Sequence, residues 1–191
     1  MSIKSIIQRE HKVLRAIAKS IPIREIKTPK TKKVLDEMSA SLASQDDGVA
    51  IAAPQIGRSL RIFVVSGKVF DKNFGVEREE KLNSKEKLVL TISKKTAIIK
   101  NKDVVFINPK ITKLSRDKDW LPEGCLSVRW LYGKSYRSKK ATVEAYDENG
   151  KKFTRGASGL LAQIFQHETD HLDGILFIDH AKELKEENPP R

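Results

Sequence analysis

The chain reads Gln166-His167-Glu168-Thr169-Asp170-His171 near its C-terminal end, and this stretch decides the fold of the segment around it. His167 and His171 are four residues apart, so a helix places both imidazoles on one face. With Glu168 they form the H-E-x-x-H pattern, in which both histidines bind one metal ion and the glutamate acts as a general base. The alternative interpretation is a helix that carries two packed or surface histidines and a solvated glutamate.

The residues around this motif predict a helix. Apolar residues recur at helical spacing on both sides of it: Leu160, Leu161, Ile164, Phe165 and Leu172. We expect Ser158 to cap the helix and Gly174 to follow its last turn. Because Leu160 and Ile164 share a stripe with the histidines, the imidazoles should emerge from the buried side.

A catalytic metal ion needs a third protein ligand, and the chain offers few candidates. It has four histidines and one cysteine, Cys125, within the run Leu121–Ser127. Pro122 and Gly124 in that run indicate a shaped turn. As a thiolate, Cys125 would complete a Cys-His-His set; a small buried hydrophobic residue is the alternative. A lone cysteine also argues against a secreted, disulfide-linked domain.

Composition places the chain among ordinary globular proteins. Its 191 residues are 39% hydrophobic and 32% charged, which predicts one domain spanning residues 1–191. No apolar run has the length of a signal peptide or a membrane span, so we expect a cytoplasmic protein without a membrane partner. No nucleic-acid-binding motif accompanies the basic residues, and we expect no DNA partner. The net charge of +12 fits either a solvated basic surface or a face that meets RNA, the ribosome or anionic lipid.

A second informative stretch runs from Gly48 to Gly57. It contains no charged residue, is bounded by glycines and holds small side chains, which indicates a backbone that a ligand approaches closely. A buried strand and turn is the alternative. Gln55 is the polar exception, and its amide either hydrogen-bonds the backbone or points a donor into a site.

The remaining pattern predicts an α+β fold, with antiparallel or mixed β-sheets packed around the C-terminal metal-binding helix. A surface helix is expected at about 32–43, with Thr31 as its cap. Charged residues suggest an insertion at about 67–103 and a frayed tail at about 181–191. Strands are predicted at 61–66, 87–92, 96–100, 104–107, 141–147 and 151–155, the last two joined at Asn149-Gly150. Residues 110–114, after Asn108-Pro109, are expected to pair nearby.

Three stretches, in this order, resemble the signature motifs of peptide deformylases: Gly48–Gln55, Glu123–Ser127 and Gln166–Leu172. The resemblance covers most of the chain outside 67–103. It implies a hydrolase that removes the N-formyl group from the N-terminal formyl-methionine of nascent peptides and releases formate. It also implies one divalent metal ion, ferrous iron in most members and zinc or nickel in others. The basic patches are then candidates for contact with the ribosome surface.

The resemblance also assigns roles to single residues. It implies three metal ligands, which are Cys125, His167 and His171, and Glu168 as the general acid and base. It implies that Gln55 and the backbone N–H of Leu126 stabilise the oxyanion. The peptide is expected to contact Gly48, Val49, Ala50 and Gly124.

Three positions depart from the family pattern. Ala50 stands where glycine is most common, Arg129 where many members have proline, and Gln163 where an apolar wall of the methionine pocket is usual. These changes bear on substrate preference and leave the metal ligands intact. The rival interpretations are an H-E-x-x-H endopeptidase and an inactive basic domain that binds RNA or the ribosome. The setting of Cys125 disfavours the first rival, and the complete set of catalytic groups disfavours the second.

Overall fold

The computed structural model describes residues 2–71, 74 and 101–188. Two antiparallel sheets and two α-helices lie within these ranges, which confirms the α+β class. The first sheet has the spatial order β1 (Ala50–Ala52), β2 (Ile62–Val65), β3 (Val104–Leu114), β6 (Lys140–Tyr146) and β7 (Lys152–Ser158). The second has the order β4 (Lys118–Gly124), β5 (Leu131–Ser138) and β8 (Lys182–Glu186).

Strand β2 explains why the five-stranded sheet lies between two helices. All four of its side chains are buried, as the doubly apolar pattern predicts, and it pairs with β1 and β3. Ile62 and Val64 pack into a cluster with helix α1 (Pro29–Ala43). Phe63 and Val65 pack on the other side with helix α2 (Gly159–Leu172). Alternation along one strand thus joins the sheet to both helices.

Helix α1 begins three residues earlier than the sequence predicts. The predicted cap, Thr31, is wrong: Thr28 is the N-cap, and its hydroxyl accepts from the Thr31 N–H at 3.4 Å. Pro29 opens the helix because its fixed φ suits the first position, where no N–H is needed. Thr31 is buried inside the first turn and donates its hydroxyl to the Glu25 carbonyl at 2.7 Å.

Helix α2 has the predicted boundaries. Ser158 is its N-cap, although the Ser158 side chain makes no capping hydrogen bond, and Gly174 adopts φ 77° after the last turn. Phe165 anchors the helix on the sheet, with its ring centroid 5.2 Å from that of Phe106. Neither helix in the described ranges is long and apolar enough to span a membrane.

Two other expectations need correction. The segments 104–107 and 110–114 are not separate: one strand, β3, runs through Asn108-Pro109 to Leu114, with a register shift between Ile107 and Lys110 and a positive φ at Asn108. The expected frayed tail is instead strand β8 over its first part, because its backbone pairs with β5.

The hairpin joining β6 and β7 is confirmed, with a turn over 147–151. The predicted strands at 87–92 and 96–100, and most of the insertion, lie outside the described residues. Within the insertion, Gly67–Phe70 forms a short 3-10 turn.

Candidate active site

The motif histidines and the single cysteine converge on one point. Helix α2 holds His167 and His171 with their ring centroids 4.8 Å apart. Cys125 follows strand β4 and places its Sγ 3.2 Å from Nε2 of His171. One ligand atom from each of the three residues lies within 4.8 Å of the others. This arrangement brings together the three predicted metal ligands.

A buried carboxylate orients one of these imidazoles. Glu123 accepts from Nδ1 of His167 at 2.6 Å, which leaves Nε2 of that ring for the cluster. Burial raises the pKa of Glu123, but the hydrogen bonds from His167 and Arg137 outweigh burial and hold it well below its ordinary value. Arg137 donates to both Glu123 oxygens, at 3.0 and 2.7 Å, and to Asp170 at 2.6 Å.

The sequence interpretation missed this supporting network. Glu123 lies inside the motif Glu123–Ser127, and its position in the turn between Pro122 and Gly124 could have indicated a role beside Cys125. Arg137 had no local signal, because it reaches the site only through the pairing of β4 with β5.

The second histidine is buried and held neutral. Burial lowers the pKa of His171 well below its ordinary value, and the neighbouring His167 lowers it further. A neutral imidazole is the form that binds a metal ion. Its Nδ1 is buried without a hydrogen-bond partner among the residues that the structure describes.

Glu168 is buried beside the cluster. Burial raises its pKa to about 7; the charge of His167 opposes this rise, and Glu123 and Asp170 add to it. Its Oε2 has no hydrogen-bond partner within the described part of the chain. A carboxylate of this kind can take up and return a proton near neutral pH.

Gln55 presents a donor to the same point. Its Oε1 accepts from the Ala52 N–H at 2.8 Å, which fixes the orientation of the amide. Its Nε2 donates to Ser127 Oγ at 3.2 Å and lies 3.6 Å from Cys125 Sγ. Both alternatives predicted for this amide therefore occur together: one end holds the backbone and the other faces the site. The Leu126 N–H has no acceptor among the described residues.

A groove of about 550 Å³ opens over these groups. All the predicted site residues line it except His171, which is buried beneath. The three residues that depart from the family pattern also line the groove: Ala50, Arg129 and Gln163. Gln163 donates to the Pro122 carbonyl at 2.8 Å, and Arg129 forms a two-pronged ion pair with Asp47 at 2.6 and 3.1 Å.

Comparison with known proteins agrees with this geometry. The model of the polypeptide deformylase family matches residues 3–187. Peptide deformylase 2 of Clostridium acetobutylicum is 35% identical over 184 residues, covering 96% of this chain and 98% of that protein. The peptide deformylase of Halothermothrix orenii is 39% identical over 175 residues, covering 92% and 91%.

Solved structures show the same similarity. The class I type b peptide deformylase from Acinetobacter baumannii, with Met-Ala-Ser bound, superposes with a TM-score of 0.73 at 26% identity, covering 94% of this chain and 100% of that chain. A peptide deformylase from Legionella pneumophila gives a TM-score of 0.71 at 31% identity, covering 95% and 88%. This chain therefore belongs to the polypeptide deformylase family.

Proposed function

We propose that this protein removes the N-formyl group from the N-terminal formyl-methionine of nascent peptides by hydrolysis, with Cys125, His167 and His171 as ligands of one divalent metal ion. Deformylation is the activity of the family to which the chain belongs. The observation that carries the assignment of residues is the meeting of one sulfur and two imidazoles beside Glu168, whose Oε2 has no hydrogen-bond partner among the described residues.

The donor set fits a divalent transition metal. One thiolate and two imidazoles suit iron, nickel and zinc, and three protein ligands leave a position open. We infer ferrous iron from the family resemblance, with zinc and nickel as the alternatives. Such an ion acts as a Lewis acid on a carbonyl oxygen and makes water a stronger acid.

Glu168 is assigned the proton transfers. Its carboxylate would accept the proton of the attacking water and return it to the amide nitrogen as the C–N bond breaks. The second transfer matters because an unprotonated amide nitrogen is a poor leaving group. Burial supports this role, since the raised pKa lets the same group act as base and then as acid near neutral pH.

Gln55 and Leu126 are assigned to the negative oxygen of the tetrahedral intermediate. The Gln55 amide is held in place by the Ala52 N–H before substrate arrives, so its Nε2 needs no reorientation. A fixed donor of this kind contributes roughly 3 kcal/mol to the transition state. No described residue accepts from the Leu126 N–H, so this group can act as the second donor.

The peptide is proposed to lie along the groove as an added strand. Among the described residues, strand β1 ends one sheet and β4 ends the other, so each has one edge that no described strand pairs with. Gly48, Val49 and Ala50 would pair with the peptide on one side, and Gly124 would face it on the other. The Met-Ala-Ser peptide bound by the Acinetobacter relative supports this substrate class.

Three wider assignments belong to the same proposal. Residues 1–191 would form one catalytic domain, and its place of work would be the cytoplasm, where nascent chains emerge. The basic surface would bring the enzyme to the ribosome, since the net charge of +12 favours association with RNA.

The test is formate release from formyl-Met-Ala-Ser by protein purified without oxygen and loaded separately with ferrous iron, nickel or zinc. We expect formate with at least one metal and its loss in Glu168→Gln, which keeps the size of the side chain. The proposal fails if protein holding one metal per chain releases no formate. Cleavage of internal peptide bonds instead would identify an endopeptidase.

A further inference from the structure

An amide from the N-terminal segment holds the loop that follows Cys125. Gln8 Nε2 donates to the Leu126 carbonyl at 3.1 Å, and the Arg129 N–H donates to Gln8 Oε1 at 3.3 Å. Leu126 and Arg129 are three residues apart, the spacing at which a β-turn closes by its own C=O···H–N hydrogen bond. The loop makes one such bond itself, because the Val128 N–H donates to the Cys125 carbonyl at 3.1 Å. The Leu126 carbonyl and the Arg129 N–H bond to the Gln8 amide instead, so a distant side chain holds the groups on either side of that turn.

The same segment also reaches the other oxyanion donor. The N–H of Ile7 donates to the Gln55 carbonyl at 2.9 Å. Two consecutive residues therefore contact both Gln55, through the backbone, and the loop of Leu126, through a side chain. Besides the direct bond from Gln55 Nε2 to Ser127 Oγ, the two donors are therefore linked through Ile7 and Gln8, neither of which lines the groove.

We propose that Gln8 is a positioning residue for deformylation, holding the Leu126 N–H at the place where the oxyanion forms. This inference rests on the proposed function. Catalysis is sensitive to small displacements, and a shift of about 1 Å can cost up to a hundredfold in rate. Loss of Gln8 loosens a donor without removing it, so we expect a decrease in kcat of about tenfold, less than the loss of a whole donor.

The test uses Gln8→Met, which keeps the length of the side chain and removes both hydrogen bonds to the loop, together with the bond from Gln8 to the Ile6 carbonyl. Arg9→Met is the matched control, because Arg9 is exposed and its ion pair is with Glu10. Each variant is loaded with cobalt, and kcat and KM are measured with formyl-Met-Ala-Ser. Cobalt content and the thiolate-to-cobalt absorption band report whether Cys125 has moved. Hydrogen exchange of the peptide covering 122–131 reports loosening of the loop.

For Gln8→Met we expect kcat about tenfold lower, KM within about twofold, an unchanged cobalt band and faster exchange of 122–131. Gln8→Glu should behave alike, because a carboxylate cannot donate to the Leu126 carbonyl. Arg9→Met should match the wild type in every measurement.

Unchanged kcat or unchanged exchange in Gln8→Met would overturn the inference. So would a lost cobalt band, which would mean that Gln8 holds the cysteine ligand. Wild-type protein that releases no formate would instead reject the proposed function, and the exchange experiment would still decide whether Gln8 orders the loop.

Discussion

Replacement of Gln55 by alanine gives the sharpest test of the oxyanion assignment. The substitution removes the acceptor of the buried Ala52 N–H and the donor to Ser127 Oγ. A buried N–H left without an acceptor costs about 1–3 kcal/mol, and the lost side-chain volume adds to this. We therefore expect a decrease of about 2–4 kcal/mol in the free energy of unfolding.

The expected kinetic effect is larger than any effect on substrate binding. Removing one oxyanion donor lowers kcat about 10²–10³-fold in comparable sites, and KM should stay within about threefold of the wild-type value. Gln55→Glu separates the two roles of the side chain. A glutamate still accepts from the Ala52 N–H, but its buried carboxylate lies beside the Cys125 sulfur and offers no amide donor, so its kcat should stay as low as that of Gln55→Ala.

The assay is formate release from formyl-Met-Ala-Ser at full metal occupancy, with urea unfolding measured on the same samples. Ser127→Ala serves as the control, because it removes an acceptor from the Gln55 amide and leaves the bond to the Ala52 N–H in place. Its kcat should fall less than about tenfold. A Gln55→Ala enzyme within threefold of the wild-type kcat would refute the assignment.

Three further predictions concern protonation, metal binding and packing. Carbon-13 NMR of metal-free protein should give Glu168 a pKa of about 7. A bound cation should lower this pKa, because a positive charge favours the ionised carboxylate. In the metal-loaded enzyme kcat/KM should therefore decrease only below pH 7, where the carboxylate takes up its proton. Arg137→Met should weaken metal affinity about 10–100-fold in chelator competition, because Glu123 loses its partner; unchanged affinity would contradict this. Gly124→Ala should lower the free energy of unfolding by about 1–3 kcal/mol, because the added Cβ would lie 2.6 Å from the Tyr132 ring. If Gly124→Ala costs as much in a Tyr132→Ala protein as in the wild type, the clash with that ring is disproved.

Sequence patterns predicted those parts of the molecule whose cause is local. Helix α2 was predictable because its apolar spacing, its N-cap Ser158 and Gly174 all lie within one short segment. The two motif histidines share a face for the same reason. Strand β2 was predictable because both of its alternating sets are apolar, which is typical of a strand covered on two sides.

The contacts that sequence reasoning missed join distant segments. Gln8 and Leu126 are 118 residues apart, and no local pattern links them. Strand β8 has five exposed side chains and no apolar face, so it gave no periodic signal; its place depends on the backbone groups that β5 offers. The start of α1 was missed for a smaller reason, because Thr28 and Thr31 are both good caps and only Pro29 distinguishes them.

The site forms where the edges of two sheets meet, and this determines which contacts control its geometry. Gln55 comes shortly after β1 of one sheet, and Cys125 comes directly after β4 of the other. The ion pair between Arg129 and Asp47 spans the same junction, yet Asp47 is 55% exposed, so such a pair adds little to stability. This ion pair should therefore affect the separation of thiolate and amide more than it affects unfolding. Its removal should appear first in kcat, whereas the buried bonds of Gln55 affect both kcat and stability.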